Sequence, residues 1–368
     1  MSGTASRRTY LDVLRGVAVL IMIEAHVIDA WTRAADRPSR AFGKSLILGG
    51  FGAPLFLFLA GVAVAMSAGS KWRRSGDAHA AMRAVQKRGL QVFLLAFVFR
   101  LQALVLGRGA LWTLLKVDIL NVMGLSIAGA ATLWGLARSD RSRLIAFAAA
   151  TAAIVWASPP IRALPALAVL PDPVEGYFRP VPGWPELTNF SFFPWAAFVT
   201  AGACLGLLLD RTRLAEAEDR RLNLAFLPIG LALAFIAYRM SFLAPIDPHS
   251  KFWTTSASFF FIRLGVMVAA VGLAYVWEQR PTSGRWSPLQ VLGRHSLFIY
   301  WIHVEMVYGL ISLPLHGALT LGGAWAALGG FCVLMLAAAL AKEWVERKFN
   351  RGKNLRDQPS RAAQPLMF

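Results

Sequence analysis

Cysteine is nearly absent. The two that occur in 368 residues, Cys204 and Cys332, both fall inside apolar runs, so neither a disulfide framework nor a metal–thiolate site is expected and both read as packing residues. Charge is scarce as well: 16% of residues are Asp, Glu, Lys or Arg, against 57% apolar, with a mean hydropathy of +0.52. That balance excludes a soluble globular domain and describes an integral membrane protein. A Gly-rich phosphate loop, an H-E-x-x-H helix and paired cysteines are missing too, and nothing calls for a metal or a bound redox cofactor. No internal repeat relates the two halves, as it often does in transporters.

Long apolar runs are what the chain does have. Runs near the 20 or so residues needed to cross a bilayer occur at 14–31, 46–69, 89–107, 117–137, 144–158, 190–209, 222–240, 256–277, 289–311 and 319–341. The expected fold is all-α and polytopic, with about ten transmembrane helices. The fifth run is short and ends at Pro159-Pro160, which leaves nine or eleven open. The first run lacks a small-residue cleavage site and is flanked by Arg7, Arg8, Asp12 and Arg15, so it is expected to stay as a helix.

Basic residues test this layout, because cytoplasmic loops collect them. Of the 38 Lys and Arg residues, 24 fall in segments sharing a side with the N-terminus and ten on the opposite side, which predicts that both termini are cytoplasmic. The net charge of +18 is thus a topology signal, and no nucleic-acid partner is inferred from it. Lys71-Trp72-Arg73-Arg74 and residues 342–361 are expected to meet anionic membrane lipids. A single transmembrane domain over 1–350 and a polar, disordered tail over 351–368 complete the organisation. The Pro-rich outer loop at 159–189 carries Tyr177, Phe178 and Trp184, which suit interfacial anchoring or stacking on sugar rings.

Ionisable residues inside spans are costly and mark function by default. His26 follows Arg15 by eleven residues, about 16 Å along the first helix, and His303 follows Arg294 by nine, about 13 Å. The two histidines are therefore expected at similar depth facing one cavity, with Arg15 and Arg294 at its cytoplasmic mouth. A neutral His26 with the Asp29 carboxylate one turn on has the make-up of a general base. The plainer alternative is a hydrogen bond from His26 to a backbone carbonyl of a neighbouring helix. Arg100 and Arg263 each need a partner or a route to water; Arg263 suits a carboxylate, a phosphate or a thioester oxygen, or pairing with Asp118. Asp118 and Asn121, near the outer end of the fourth span, suit an acceptor sugar or a helix cap equally. Gly202 and Gly206 form a close-packing pair.

Tyr10-Leu11-Asp12-Val13-Leu14-Arg15-Gly16-Val17-Ala18, followed by Met22 and His26, resembles the first helix shared by two transmembrane acyltransferase families. These are the acyltransferase-3 family and the catalytic-domain family of heparan-alpha-glucosaminide N-acetyltransferase. Gly52-Ala53-Pro54-Leu55-Phe56-Leu57-Phe58-Leu59-Ala60-Gly61 resembles the bacterial branch of the latter. So do Lys87-Arg88-Gly89-Leu90, Val117-Asp118-Ile119-Leu120-Asn121, Phe193-Pro194-Trp195 with Gly202 and Gly206, and the block from Leu292 through Tyr300-Trp301-Ile302-His303. The blocks recur in order from Arg8 to about Arg347.

This resemblance implies O- or N-acyl transfer from cytoplasmic acyl-CoA, with acetyl-CoA as donor co-substrate, to a carbohydrate or glycan acceptor across a bacterial inner membrane. It implies His26 as the catalytic base and Arg15, Arg88 or Arg294 as partners of the CoA phosphates; the residues' own chemistry adds Asp29 and His303 as catalytic candidates, Asp12 beside Arg15 as a donor-binding candidate, and Asp118, Asn121 and Arg263 as substrate-binding candidates. A homo-oligomer is compatible with it. The chain departs from many relatives in reading Ala25-His26-Val27-Ile28-Asp29 where they read Asp-His-Val-Arg-Asp. Glu24 projects about 200° around the helix from His26. A transporter or proton/anion pathway, and a non-catalytic scaffold with a degenerate acyltransferase fold, stand as alternative readings.

Overall fold

The computed structural model describes residues 8–107, 111–181, 188, 190–280 and 286–356. Among these residues the secondary structure is helical apart from two isolated bridges, Thr32 with Leu319 and Val117 with Thr188. The helices are α1 (Thr9–Trp31), α2 (Arg40–Gly49), α3 (Gly52–Ser75), α4 (Ala78–Gly107), α5 (Ile119–Leu136), α6 (Asp140–Ala163), α7 (Asp172–Glu175), α8 (Phe192–Thr212), α9 (Glu216–Met240), α10 (Ala257–Glu278), α11 (Pro288–Arg294), α12 (Ser296–Tyr308) and α13 (Leu321–Arg356).

Eight stretches among the described residues are long and apolar enough to cross a membrane: Arg40–Ser75, which joins α2 to α3, and those of α4, α5, α6, α8, α9, α10 and α13. The other two expected spans are present as helices of a different kind. One is α1, which carries Asp12, Arg15, Glu24 and Asp29; the other is the α11–α12 pair, interrupted at His295. The doubtful fifth span is the 24-residue α6, which runs through Pro159 and Pro160 to Ala163. Helix α13 continues to Arg356; of the tail expected to be disordered, residues 357–368 lie outside the described residues, as do Pro182, Trp184 and Pro185 of the outer loop.

Local chemistry sets several helix ends. Asp118 caps α5, accepting from the Ile119 N–H while the Asn121 side chain accepts from the Asp118 N–H; Ser139 and Ser142 do the equivalent for α6. Gly76, at φ 70°, ends α3 in the left-handed conformation that L side chains disfavour. Along α4, Leu90, Leu94, Val98, Leu101 and Val105 are exposed at helical spacing, forming the face that meets lipid.

Two contacts without side chains position the interior. A Cβ on Gly202 of α8 would stand 1.9 Å from the Phe58 carbonyl of α3, so these helices cross backbone to backbone, as the Gly202/Gly206 spacing predicts. A Cβ on Gly293 would likewise stand 1.9 Å from the Asp12 carbonyl, which locks α11 onto the start of α1. The larger apolar cluster gathers α3, α4, α5, α8 and α10; the smaller joins Val19, Ile23 and Val27 of α1 to Ile299 and Val307 of α12 and Met335 of α13. The second cluster brings His26 and His303 to one level.

Candidate functional site

A cavity of about 1220 Å³ runs between α1, α3, α4, α5 and α12. Its wall on α1 is Met22, Ala25, His26 and Asp29, spaced so that all share one helix face. Lys71, Lys87 and Arg88 line one end, and Asp29, Lys116, Glu305, Tyr308 and Gly309 the other. Lys71 stands near the end of α3 on the side of the N-terminus, whereas Asp29 and Tyr308 stand near the opposite ends of α1 and α12, so the cavity extends across the bundle.

His26 sits in the middle of this wall. Its Nδ1 is 2.9 Å from Nε2 of His303, whose Nδ1 is 2.8 Å from the Ile299 carbonyl. A carbonyl only accepts, so in the neutral pair His303 carries its proton on Nδ1 and accepts at Nε2. His26 must then donate from Nδ1, which leaves its Nε2 lone pair for the cavity. His303 is completely buried and does not line the cavity. The two rings are nearly parallel, with centroids 5.1 Å apart, and Tyr308 stands edge-on to His26 at 5.6 Å.

Close by, the Arg100 guanidinium pairs with the Asp118 carboxylate, which also accepts from the Tyr300 hydroxyl at 3.4 Å. Arg100, Asp118 and Tyr300 all line the cavity. Asn121 is buried as the capping partner of Asp118 and is not among the lining residues.

The remaining expected site residues fall elsewhere. Asp29 lines the cavity, but its carboxylate faces Arg37 at 3.6 Å and the ring partner of His26 is a histidine. Neither of the expected mouth cations, Arg15 and Arg294, lines the cavity. Arg15 pairs with Asp12 at 2.9 Å, and the two border a separate recess of about 640 Å³ with Tyr10, Arg73, Asp210 and Glu278. Arg294 reaches Glu343 of α13 at 2.9 Å and lines neither space. Arg88 alone of the expected donor-site residues lines the cavity, joined there by Lys71 and Lys87. Their signal was in the sequence, since a basic cluster between two spans faces water and is a natural polyanion site. Arg263 lies outside the lining residues, with its guanidinium 3.9 Å over the Phe259 ring. Among the described residues, no group of three or more His, Cys, Asp and Glu gathers to hold a metal ion.

The described residues thus form an all-helical, multi-pass membrane bundle around a cavity with basic side chains at one end and His26 at its centre. Residues 8–344 match the acyltransferase-3 family model, described as an acyltransferase domain, and the chain belongs to that family. It is thus a membrane acyltransferase. None of the curated proteins compared with the chain matches it significantly.

Proposed function

We propose that the protein moves an acyl group, acetyl in the simplest case, from cytoplasmic acyl-CoA through the cavity to a hydroxyl or amine of a glycan on the far side of a bacterial inner membrane. The observation that carries this reading is the free Nε2 of His26 midway between a cationic end and an end with acidic groups. Lys71, Lys87 and Arg88 suit the phosphates of CoA, with no carboxylate among the lining residues at that end. From the level of Arg88 to that of Arg100 is about 18 Å along α4, a path for an extended pantetheine arm. The acceptor enters from the other end.

In the transfer, His26 Nε2 takes the proton of the acceptor O–H or N–H as the acceptor atom bonds to the thioester carbonyl carbon. Collapse of the tetrahedral intermediate breaks the C–S bond, and the leaving thiolate takes the proton back from the imidazolium. His303 holds the ring in the tautomer this needs. Beside the family match, the motif blocks resemble the catalytic-domain family of heparan-alpha-glucosaminide N-acetyltransferase, which is compatible with a glycan acceptor.

The test is binding of acetyl-CoA, with ATP as control, to protein in nanodiscs. Saturable binding that weakens when Lys87 and Arg88 are both changed to Gln supports the reading. A folded protein that binds no acetyl-CoA contradicts it and moves weight to a transporter, because a cavity crossing the bundle with a histidine pair at its centre also suits a proton pathway.

A further inference from the structure

A cavity that extends across the bundle gives water a route to His26, and water is itself an acceptor for a thioester. Its oxygen would bond to the carbonyl carbon as His26 Nε2 takes its proton; the C–S bond then breaks, the thiolate takes the proton back, and a free acid and CoA leave. Transfer to any other group therefore requires that the outer approach to His26 be closed to lone water molecules.

Tyr308, the last residue of α12, stands on that approach. Its ring is edge-on to His26, with centroids 5.6 Å apart, and it lines the cavity at the outer end with Asp29 and Gly309. The residue is 45% exposed, so the ring lies between the imidazole and open space. The helix end that carries it is pinned. Three donors converge on the Val307 carbonyl: the Trp31 indole N–H at 3.1 Å, the Ser312 hydroxyl at 2.7 Å and a ring N–H of His316 at 2.9 Å. A carbonyl in the last turn of a helix has no partner within it, and here Trp31 ties that end to α1, five residues beyond His26. The tyrosine hydroxyl is set beside the Asp29 carboxylate, which faces Arg37 at 3.6 Å. Arg37 in turn donates to the Asp29 and Thr32 carbonyls. The outer end of α1, the α1–α2 connection and α12 together hold one ring against the base.

A pinned backbone leaves the ring its side-chain rotations alone. Swinging it off the imidazole opens His26 to the outer end, and an acceptor of many atoms brings contacts that offset that displacement, whereas a single water does not. We infer that Tyr308 is a specificity-determining residue that favours the acceptor over water, by covering His26 until an acceptor displaces its ring. That role rests on the acyl-transfer reading, whereas the covering of His26 is testable without it.

The experiment compares the wild type with Tyr308→Ala and Tyr308→Phe in nanodiscs by two readouts. Diethyl pyrocarbonate reports access to the imidazole, with modification at His26 followed by mass spectrometry; release of free CoA from acetyl-CoA with no acceptor present reports hydrolysis. Tyr308→Ala is expected to raise both rates at least about tenfold with acetyl-CoA affinity unchanged, and Tyr308→Phe, which keeps the ring, to stay within about twofold of the wild type. Adding His26→Ala to Tyr308→Ala should abolish the gained hydrolysis. Tyr308→Val takes the place of Tyr308→Ala where the latter does not fold. Unchanged rates in Tyr308→Ala, a Phe variant that behaves like the Ala variant, or faster hydrolysis that survives His26→Ala overturns the proposal. Faster modification of His26 in Tyr308→Ala, with no acetyl-CoA binding by either protein, would support the cover and count against acyl transfer instead.

Discussion

At the scale of single residues, the account turns on which nitrogen of His26 is free. Its Nδ1 is committed to His303, so His26→Ala removes the base itself and should cut acyl transfer by about 10²–10⁴-fold while acetyl-CoA binding is retained. Unchanged transfer would take His26 out of the mechanism. His303 acts through His26, and its variants should separate the two roles. In His303→Leu nothing accepts from Nδ1 and transfer should fall at least about tenfold; in His303→Gln the amide oxygen can accept, and part of the rate should return. Equal rates in the two variants would deny a positioning role. The pairing of these histidines was legible in the sequence, because helical rise alone puts them at one depth. What was not legible is what captures a long side chain from outside its own helix. Asp29 lies at i+3 from His26, yet Arg37 from the following turn engages it, and Arg294 is drawn to Glu343, 49 residues away.

At the scale of elements, α4 and α5 are joined by the ion pair of Arg100 with Asp118, whose side chains are 11% and 10% exposed. Removing one partner of a buried pair leaves an uncompensated charge and typically costs about 3–5 kcal/mol. Asp118→Leu should therefore lower the thermal midpoint markedly in detergent, and Arg100→Leu combined with it should recover much of the loss. Additive losses would contradict the pairing. The junction of the α1–α2 connection with the start of α13 has a pH dependence of known sign. The half-buried Asp36 carboxylate accepts from the Leu321 N–H at 2.7 Å, and this bond, with Arg33 beside it, holds the group below the usual carboxylate range. Stabilisation from this group is present above its ordinary pKa and is lost as pH falls through the lowered value. Hydrogen exchange at the Leu321 amide, corrected for intrinsic rate, should accelerate only on that acid side; a pH-independent protection factor would refute the contact. The sequence showed the ten apolar runs but not the breaks between α2 and α3 or at His295, because those breaks sit within continuous hydrophobicity.

At the scale of the whole molecule, the distribution of Lys and Arg predicts that the cationic end of the cavity is cytoplasmic. With Cys204 and Cys332 replaced by Ala, single cysteines at Lys71 and Lys116 should react with a membrane-impermeant maleimide from opposite faces, Lys71→Cys from the face of the N-terminus. Labelling of both from one face would contradict a cavity that crosses the bundle. The through-going cavity itself was not readable from the chain, since it requires faces of five separate helices to turn inward together.

The central claim is that acyl-CoA bound at the Lys71–Lys87–Arg88 end surrenders its acyl group at His26. It is tested most directly by measuring acetyl-CoA turnover and acetyl-CoA affinity side by side for the wild type and His26→Ala in nanodiscs, with release of free CoA as the readout. The account predicts equal affinity and a rate at least about a hundredfold lower in the variant. Equal turnover by the two proteins, or no saturable acetyl-CoA binding by either, would contradict it.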